Sequence, residues 1–338
     1  MATMRDVAKQ AGVSITTVSH VINNSRAVSN GARQRVETAM RELGYKPNTL
    51  ARSLRRQQTH TIGMIVPDSA NPFFAEIARG IEDASFEQNY NVVLCNTEGD
   101  LEKQISYTNV LIQNQVAGIV FVAAGVSTEL VEDLQRRQVP LVVVDREVPD
   151  VAVDTVLTDH YQGGRLATQH LVDLGHRRIA CISAGSELSP SSDRVTGYQD
   201  VLRENGLAVD EQLIMRGDFQ YKSGFEAAQQ LLALTEPPTA VFASNDLMAV
   251  GCISAATQQG LRVPEDLSVV GFDDVRLASF TNPPLTTIAQ PKREIGTLAV
   301  EMLLTRINDL TAPIRYERLD TELKVRRSTA VWRSGEET

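Results

Sequence analysis

The chain changes its pattern of hydrophobic and polar positions near residue 60. Before that point, apolar residues recur at helical spacing within short stretches. After it, continuous apolar runs of four to six residues alternate with amphipathic stretches. The first part therefore predicts a small helical domain, and the second predicts buried parallel strands joined by helices.

In the second part, seven apolar runs predict strands. They are TIGMIV, NVVLCN, AGIVFVA, PLVVVD, RIACIS, AVFAS and LSVVGF. The helices predicted between them span residues 74–88, 101–113, 128–137, 163–174, 194–204, 223–234 and 246–259. Two such series, divided near residues 159–162, predict an α/β body of two doubly wound parallel-sheet lobes.

The first part begins with two short helices separated by a turn. Residues 4–10 have helical composition, Gly12 permits a tight turn, and the Ser14 hydroxyl can cap a second helix over 15–23. The apolar positions of that helix are Val18, Val21 and Ile22, whereas Thr16, Thr17, Ser19 and His20 lie largely on the other side. A third helix over about 30–43 would close a small core through Val36, Met40 and Leu43. This is the pattern of an all-α helix-turn-helix, whose second helix can offer polar groups to base edges in the major groove.

The distribution of charge supports a polyanionic partner for the first part only. Residues 1–60 contain ten Lys or Arg and three acidic residues, a net +7. The whole chain carries −9, so the remainder carries −16. Residues 48–55 have helix-forming composition behind Pro47, but eight residues are too few for an independent helix. We expect that segment to become helical only against a partner helix and DNA.

Polar and aromatic residues follow the predicted strands at the points where ligands bind in doubly wound folds. This candidate set consists of Asn71, Phe73, Phe74, Asp145, Arg146, Arg194, Phe219, Asn245, Asp273 and Gln290. Singly, each could be a turn residue, a helix cap or a surface ion pair. Together they suit a sugar, because aromatic rings stack on its C–H faces while the polar groups share hydrogen bonds with its hydroxyls.

Other functional classes lack their signatures in this sequence. No G-x-G-x-x-G follows a strand, and no G-x-x-x-x-G-K-[ST] is present, so a nucleotide-dependent enzyme is not expected. His160, His170 and His176 form no recognisable triad or metal set, and we expect no cofactor. The cysteines lack metal spacing and are predicted to be buried reduced thiols; they are Cys95, Cys181 and Cys252. Without an 18-residue apolar run or a signal segment, a cytoplasmic protein with no membrane partner is expected.

Over nearly its whole length, the sequence resembles the LacI family of bacterial repressors. The resemblance is most specific in DVAKQAGVSITTVSHVINN, LARSL and TIGMIVP. It implies a homodimer that places two recognition helices in adjacent major grooves of a palindromic operator, while paired hinge helices insert leucines into the minor groove. By match of motif, the DNA-binding residues are Ser14, Ile15, Thr16, Thr17, His20, Asn23, Ala51, Arg52, Leu54 and Arg55, with Leu54 as the wedge.

The candidate set at the strand ends is similar to the pocket of periplasmic ribose-binding proteins. That resemblance implies two phenylalanines sandwiching a pentose ring and polar groups binding its hydroxyls. The segments HTIGMI, LCNTEGD and ASFTNPPLTTIAQPKREIG also resemble ribose-responsive members of the LacI family. The expected effector is therefore D-ribose acting as inducer, with another sugar or a purine corepressor as the alternative.

These arguments divide the chain into three parts. Residues 1–46 form the helix-turn-helix domain, 47–60 the hinge helix and linker, and 61–338 the effector-binding and dimerisation body. Within the body, the first lobe is expected over about 61–160 and 291–320. The second lobe is expected over about 161–290 and 321–338.

Overall fold

The structure is a computed structural model that describes residues 2–23, 26–45, 59–122, 126–184 and 190–333, apart from the side chain of Asn23. The chain forms two compact units, residues 1–59 and 60–338. Each unit has its own hydrophobic core. We call the first unit the head and the second the body.

In the head, three helices pack around a small apolar core. They are α1 Met4–Ala11, α2 Ile15–Asn23 and α3 Asn30–Glu42. Thr3 and Asp6 cap the start of α1 reciprocally, and Gly12 ends it with a left-handed φ of 63°. Val18 and Val36 are fully buried in this core, at positions that the helical spacing predicts.

The described part of the body contains two six-stranded sheets. Their strands are β1 Thr61–Val66, β2 Asn91–Asn96, β3 Gly118–Val122, β4 Leu141–Val144, β5 Asp154–Thr158, β6 Ile179–Ala184, β7 Ile214–Gly217, β8 Ala240–Ala243, β9 Ser268–Asp273, β10 Thr286–Ala289, β11 Tyr316–Leu319 and β12 Glu322–Lys324. The first sheet has the order β11-β5-β4-β3-β1-β2, and the second β12-β10-β9-β8-β6-β7. All pairs are parallel except β10 with β12.

Helices cover both faces of each sheet, as continuous apolar strands require. They are α4 Pro72–Glu87, α5 Leu101–Gln113, α6 Thr128–Arg136, α7 His160–Asp173, α8 Ser191–Glu204, α9 Tyr221–Leu232, α10 Asp246–Gln258 and α11 Lys292–Asn308. Pairs of neighbouring helices pack closely: α4 with α11 on the first sheet, and α7 with α8 and α9 with α10 on the second. Each sheet therefore lies between two apolar clusters.

The chain passes three times between the sheets. The crossings join β5 to α7, β10 to α11, and β11 to β12. Strand ends and helix starts from both sheets consequently meet at these three connections. We call the region of the crossings, at residues 158–160, 289–292 and 319–322, the hinge.

The mixed α/β class with a helix-turn-helix is confirmed, but several elements were not predicted from the pattern. The structure adds the five strands β5, β7, β10, β11 and β12 and the helix α11. Strand β5 was not predicted, because three of its five residues are polar, namely Asp154, Thr155 and Thr158. All three are nevertheless buried. Strands β7 and β11 are partly exposed and carry no apolar run.

Four body helices, α4, α7, α8 and α9, begin two or three residues earlier than the pattern predicts, and the starts of α7 and α8 bear on the cleft. Helix α7 begins at His160 rather than at residue 163, because the Asp159 carboxylate accepts a hydrogen bond from the Gln162 amide at 2.9 Å. Helix α8 begins at Ser191 rather than at Arg194. His160 thereby becomes the first residue of a helix at the hinge.

A buried ion pair fastens α11 to the first sheet. Arg306 donates to both carboxylate oxygens of Asp154, at 2.9 and 3.1 Å, and the two side chains are only 10% and 3% exposed. Asp154 also accepts from the Arg315 amide at 2.9 Å. Removing the carboxylate would leave the guanidinium uncompensated in the interior.

We expect Asp154→Ala to lower the stability of the body by about 3–5 kcal/mol, the usual effect of breaking a buried pair. Chemical denaturation followed by circular dichroism measures this loss. Glu226→Ala is the matched control, because the Glu226 carboxylate lies 3.7 Å from the exposed Lys222 ammonium. It should change stability by only about 0–1 kcal/mol. Equal effects of the two substitutions would contradict a stabilising role for the buried pair.

Candidate functional site

The start of helix α2 is the candidate DNA-reading surface of the head. The Ser14 hydroxyl accepts a hydrogen bond from the Thr17 amide at 3.0 Å, which is the cap predicted from the sequence. Ser14 and Thr16 are exposed, and Ile15 is 44% exposed despite its apolar side chain. Thr17 and His20 are half-buried on the same helix. The helix thus presents short side chains outward while Val18 packs inward.

Some predicted DNA-binding residues lie outside the described residues. They are Ala51, Arg52, Leu54 and Arg55 of the predicted hinge helix, together with the side chain of Asn23. Their roles stay predictions from the resemblance of the sequence.

In the body, a cavity of about 680 Å³ lies between the carboxyl ends of the two sheets. Nine of the ten residues in the candidate set line it. The full lining is Pro67, Asp68, Asn71, Phe73, Phe74, Glu98, Gly99, Asp145, Arg146, Pro190, Arg194, Asp218, Phe219, Gln220, Asn245 and Asp273. The rule that ligands bind at the carboxyl ends of the strands in doubly wound folds therefore located this cleft from the sequence.

The first lobe provides two aromatic rings at the start of α4. Asn71 caps this helix by accepting from the Phe73 amide at 3.0 Å, and Pro72 fixes its first turn. The rings of Phe73 and Phe74 meet edge to face, with centroids 5.2 Å apart. The cap sets the backbone from which both rings line the cleft.

After β4, the first lobe also provides a charged pair. Asp145 has a left-handed φ of 64° and is 4% exposed. Among the described residues, no donor reaches Asp145 Oδ1 with hydrogen-bond geometry, although His160 Nε2 is only 2.9 Å away. The Nε atom of Arg146 is likewise buried and without an acceptor there. The cleft thus contains a charged acceptor and a charged donor, each with an unused bonding position.

The second lobe places Arg194 opposite this pair through close helix packing. Gly164 of α7 lies against the Arg194 backbone, and Gly197 of α8 lies against the backbone of Tyr161, so that a Cβ at either glycine would collide with a carbonyl oxygen. The guanidinium donates to the Ser244 carbonyl and lies 3.7 Å above the ring of Phe272. Arg194 is 2% exposed.

Asn245 and Phe219 form the far wall of the cleft. Asn245 caps α10 by accepting from the Met248 amide at 2.9 Å, and its amide nitrogen donates to the Phe219 carbonyl at 3.0 Å. Phe219 has a left-handed φ of 66°, which turns the chain between β7 and α9. Nearby, Gln220 donates to the Asp68 carboxylate of the first lobe at 3.3 Å, across the mouth of the cleft.

Asp273 is the last residue of β9 and lies in the cleft, and two residues outside the cleft lining donate hydrogen bonds to it. Gln290 donates to Asp273 Oδ1 at 2.8 Å, and the Lys292 ammonium donates to the Asp273 carbonyl at 2.5 Å. Gln290 itself is not among the lining residues that the structure describes. Its side chain instead accepts from the Thr158 hydroxyl at 2.6 Å. Gln290 therefore supports a cleft residue, and direct contact between Gln290 and a ligand stays a prediction.

Burial dominates the ionisation of these groups. Desolvation raises the pKa of Asp273 to about 7, although Arg194 and Lys292 act to lower it. Desolvation, reinforced by the positive charge of Arg194, lowers the pKa of His160 below its ordinary value. The pKa values of Arg146 and Arg194 are also lowered by desolvation, while nearby carboxylates oppose that shift. His160 is consequently neutral near pH 7, whereas both arginines remain charged.

Sequence reasoning missed the acidic mouth of the cleft and the position of His160. Glu98 and Asp218 follow β2 and β7, so the strand-end rule applied to them as well. His160 gave no signal, because its role depends on the start of α7 and on contacts with Arg194, which is distant in sequence. His160 is 3% exposed and lies at the hinge behind the cleft.

Three further observations concern the part of the chain that the structure describes. No three His, Cys, Asp or Glu side chains in these ranges come together as a metal site requires. No helix described here is both long and apolar enough to cross a membrane. Cys181 and Cys252 are buried free thiols as predicted, but Cys95 is only partly buried, because it lies on the edge strand β2.

Two family models match the chain and divide it as the structure does. The model described as bacterial regulatory proteins of the lacI family matches residues 3–48. The model described as periplasmic binding proteins and sugar binding domain of the LacI family matches residues 59–326. The second match alone covers most of the chain.

Among curated relatives, the ribose operon repressor of Escherichia coli (strain K12) is 45% identical over 332 residues, which cover 98% of this chain and 100% of the relative. The HTH-type transcriptional repressor PurR of Photobacterium profundum is 42% identical over 329 residues, which cover 97% of this chain and 98% of the relative.

Among solved structures, the lac repressor dimer bound to operator and the anti-inducer ONPF has a TM-score of 0.87 and 31% identity, covering 97% of this chain and 99% of that one. A LacI family transcriptional regulator from Enterococcus faecium with bound ribose has a TM-score of 0.74 and 33% identity, covering 81% and 100%. Together with the two domain matches and the helix-turn-helix geometry, these similarities show that the chain belongs to the LacI family and is a DNA-binding transcriptional repressor rather than an enzyme.

Proposed function

We propose that the cleft binds a neutral sugar, D-ribose in first place, and that the bound sugar lowers the affinity of the head for its operator. One observation carries this proposal: within the described residues, the buried Arg146 Nε has no acceptor, and the buried Asp145 Oδ1 has only the His160 ring nitrogen close by, at 2.9 Å and outside hydrogen-bond geometry. A buried charged group without a partner is costly, and a ligand with vicinal hydroxyls can satisfy both atoms.

The walls of the cleft suit the two chemical faces of a sugar. Phe73 and Phe74 enter from the first lobe, and Phe219 enters from the second. Aromatic rings on both sides can cover the C–H faces of a pentose, while Asp145, Arg146 and the second-lobe polar groups reach its edge. A ligand held this way contacts both lobes at once.

The charge of the cleft favours a neutral ligand over a phosphorylated one. Its lining contains five carboxylates but only two arginines: Asp68, Glu98, Asp145, Asp218 and Asp273 against Arg146 and Arg194. A phosphate group at the mouth would face the exposed carboxylates of Glu98 and Asp218. Repulsion between like charges in a partly desolvated cleft disfavours such ligands.

The relatives support ribose without excluding other effectors. One relative is named for the ribose operon, and one similar solved structure contains bound ribose. The PurR relative is nearly as similar, which makes a purine base the informative alternative in any binding screen. The Asp145–Arg146 pair and the aromatic wall favour the sugar.

For DNA, we infer that a dimer binds a palindromic operator through α2 of each head. The exposed residues at the start of α2, Ser14, Ile15 and Thr16, are available to base edges, and the net +7 of residues 1–60 favours contact with phosphates. A single three-helix domain provides little contact area for specific binding, so two heads are needed.

The body presents apolar surface that a second copy of this chain can cover. On the first lobe, Phe86 is 79% exposed beside a groove that contains Leu94, which is 44% exposed. On the second lobe, Phe280 is 73% exposed. Large exposed aromatic side chains on both lobes are typical of an interface, and the similar lac repressor binds its operator as a dimer.

Arg146→Ala is expected to weaken ribose binding by about 2–4 kcal/mol, because the acceptor that pairs with Arg146 in the complex is left unpaired. Isothermal calorimetry measures the change. Asp273→Ala should have an effect of the same order. Arg137→Ala is the control, since this half-exposed arginine pairs with Asp133 far from the cleft lining. Unchanged affinity in both cleft variants would remove these residues from the site.

Ribose affinity is expected to rise as the pH increases from 6 to 8. In the free protein the Asp273 carboxyl, with its pKa raised to about 7, is partly protonated. Because its pKa is raised in the folded protein, Asp273 stabilises the fold fully below its unfolded pKa of about 4, and this stabilisation is lost as the pH rises through 7. A sugar hydroxyl donates to the ionised form, so binding lowers that pKa and releases a proton.

Calorimetry in buffers of different ionisation heat counts the released protons. Asp273→Asn should abolish the part of the proton release centred near pH 7. If the wild-type protein took up protons on binding ribose at pH 7, the assigned ionisation of Asp273 in the complex would be wrong.

Saturating ribose is expected to weaken operator binding by about 5–150-fold, the usual range for coupled sites. The measurement is an operator titration at fixed salt, because affinity for DNA depends steeply on salt. The Arg146→Ala variant is the internal control: it should bind operator normally and fail to respond at ribose concentrations that release the wild type. Tighter binding with ribose would make the sugar a corepressor, and a response only to a purine base would replace the sugar.

A further inference from the structure

Lys292 is a buried lysine whose ammonium group lies between the two lobes. It is the first residue of α11, which packs on the first sheet, and it is only 7% exposed. Its Nζ donates to two carbonyls of the second lobe, that of Asp273 at 2.5 Å and that of Asp274 at 2.8 Å. The carboxylate of Glu76 on α4 lies 3.6 Å from the same nitrogen. A buried ammonium is costly without partners, and these three contacts supply them.

The two carbonyls belong to a turn with an unusual backbone. Asp273 and Asp274 have φ values of 109° and 51°, which residues other than glycine seldom adopt. Such conformations persist where the surrounding contacts fix them. Because Lys292 donates to both carbonyls, it fixes the backbone from which the Asp273 side chain enters the cleft.

The next two residues of this turn are held from both lobes. The Val275 amide donates to the Asp246 carboxylate of the second lobe at 2.8 Å. The Val275 side chain is 1% exposed and packs in an apolar cluster formed mainly by first-lobe residues. The Arg276 amide donates to Glu76 Oε1 of the first lobe at 3.1 Å. Glu76 therefore contacts both the backbone of the 273–276 turn and the ammonium of Lys292.

We propose that Lys292 is a positioning residue for the effector, which holds the 273–276 turn from the first lobe so that the Asp273 carboxylate faces the ligand. This inference rests on the proposed sugar-binding function. Gln290 holds the carboxylate of Asp273, whereas Lys292 holds its carbonyl. Because Lys292 and the turn belong to different lobes, a change in the lobe arrangement alters these bonds. A sugar that uses Asp273 favours the arrangement in which they are intact.

The ammonium also acts on the charge of Asp273. Burial raises the pKa of Asp273 to about 7, although the positive charges of Arg194 and Lys292 act to lower it. Replacing Lys292 by an uncharged side chain should therefore raise this pKa further. His160 stays neutral near pH 7, because its own pKa is lowered by burial. The other charged or titratable groups in this part of the body are Arg194 of α8, Asp145 after β4, Asp246 of α10 and His160 of α7.

The first test needs no ligand and measures the ionisation of Asp273. Carbon-13 NMR of the aspartate carboxyl groups follows the titration, and Asp273→Asn assigns the signal. We expect Lys292→Met to raise the pKa of Asp273. Lys222→Met is the matched control, because it removes an ammonium on a side chain that is 84% exposed, and it should leave this pKa unchanged. An unchanged pKa in Lys292→Met would overturn the proposed action of Lys292 on Asp273.

The second test measures ribose affinity by calorimetry at pH 8, in single and double variants. Lys292→Met should weaken binding about tenfold, which lies within the range for coupled neighbouring residues, and Lys222→Met should not change it. In an Asp273→Ala background, Lys292→Met should change the affinity by less than about threefold, because the carboxylate that Lys292 positions is already absent. Equal losses in the two backgrounds would show that Lys292 does not act through Asp273 and would overturn the inference.

Glu76→Ala tests the same junction at a different residue, so it serves even if Lys292→Met does not fold. It removes the acceptor of the Arg276 amide and the carboxylate beside Lys292. Glu87→Ala is its matched control, because Glu87 is an exposed residue at the end of the same helix. We expect weaker ribose binding from Glu76→Ala and no change from Glu87→Ala.

Wild-type affinity in both Lys292→Met and Glu76→Ala would overturn the inference. A wild-type protein that binds no ribose would refute the proposed function instead. The NMR titration would then still decide whether Lys292 acts on Asp273.

Discussion

In the body, the free-energy cost of burying charged side chains where the two sheets meet determines which residues surround the cleft. Arg194, Asp145 and Asp273 are each at most 4% exposed. A buried ion is tolerated only where partners replace its water. Arg194 has the Ser244 carbonyl, His160 and the Phe272 ring, and Asp273 has Gln290. Asp145 has close neighbours but an unused acceptor position. Two of these partners, His160 and Gln290, are hinge residues, and the unused position on Asp145 is the one that we propose a ligand fills.

The doubly wound topology explains why these charges meet. Parallel strands deliver their carboxyl ends to one edge, and two such sheets connected three times must face each other there. The chain turns sharply at this edge: Asp145, Phe219 and Asp273 have φ values of 64°, 66° and 109°. Such conformations cost about 1–3 kcal/mol each and persist where surrounding contacts fix them. The residues with strained backbone are therefore the same residues whose side chains line the cleft.

The sequence predicted the residues that line the cleft better than the residues behind them that hold these side chains in place. Asn71, Phe73, Asp145 and Asn245 follow apolar strands directly, so a local rule finds them. His160 contacts Arg194, 34 residues away, and Thr158 donates to Gln290, 132 residues away, and no local period records such pairs. Strand β5 shows the same limit, because its buried polar residues hide the apolar signal that identified its neighbours. Polar residues buried for tertiary reasons are where pattern reasoning fails.

The separation of charge between head and body bears on how a sugar can control DNA binding. Residues 1–60 carry a net +7 and the remainder −16, a distribution that favours contact between DNA phosphates and the head over contact with the body. A neutral sugar brings no charge of its own to the DNA. Its influence must come through the arrangement of the lobes, and the first lobe begins at β1, directly after residues 47–60, the predicted hinge helix and linker. Linkage then requires reciprocity: whatever factor the sugar removes from operator affinity, the operator removes from sugar affinity. If the sugar induces, as we propose, a repressor bound to DNA responds to higher sugar concentrations than a free one. The size of that difference depends on how much the contacts of the sugar with the two lobes change between the two lobe arrangements.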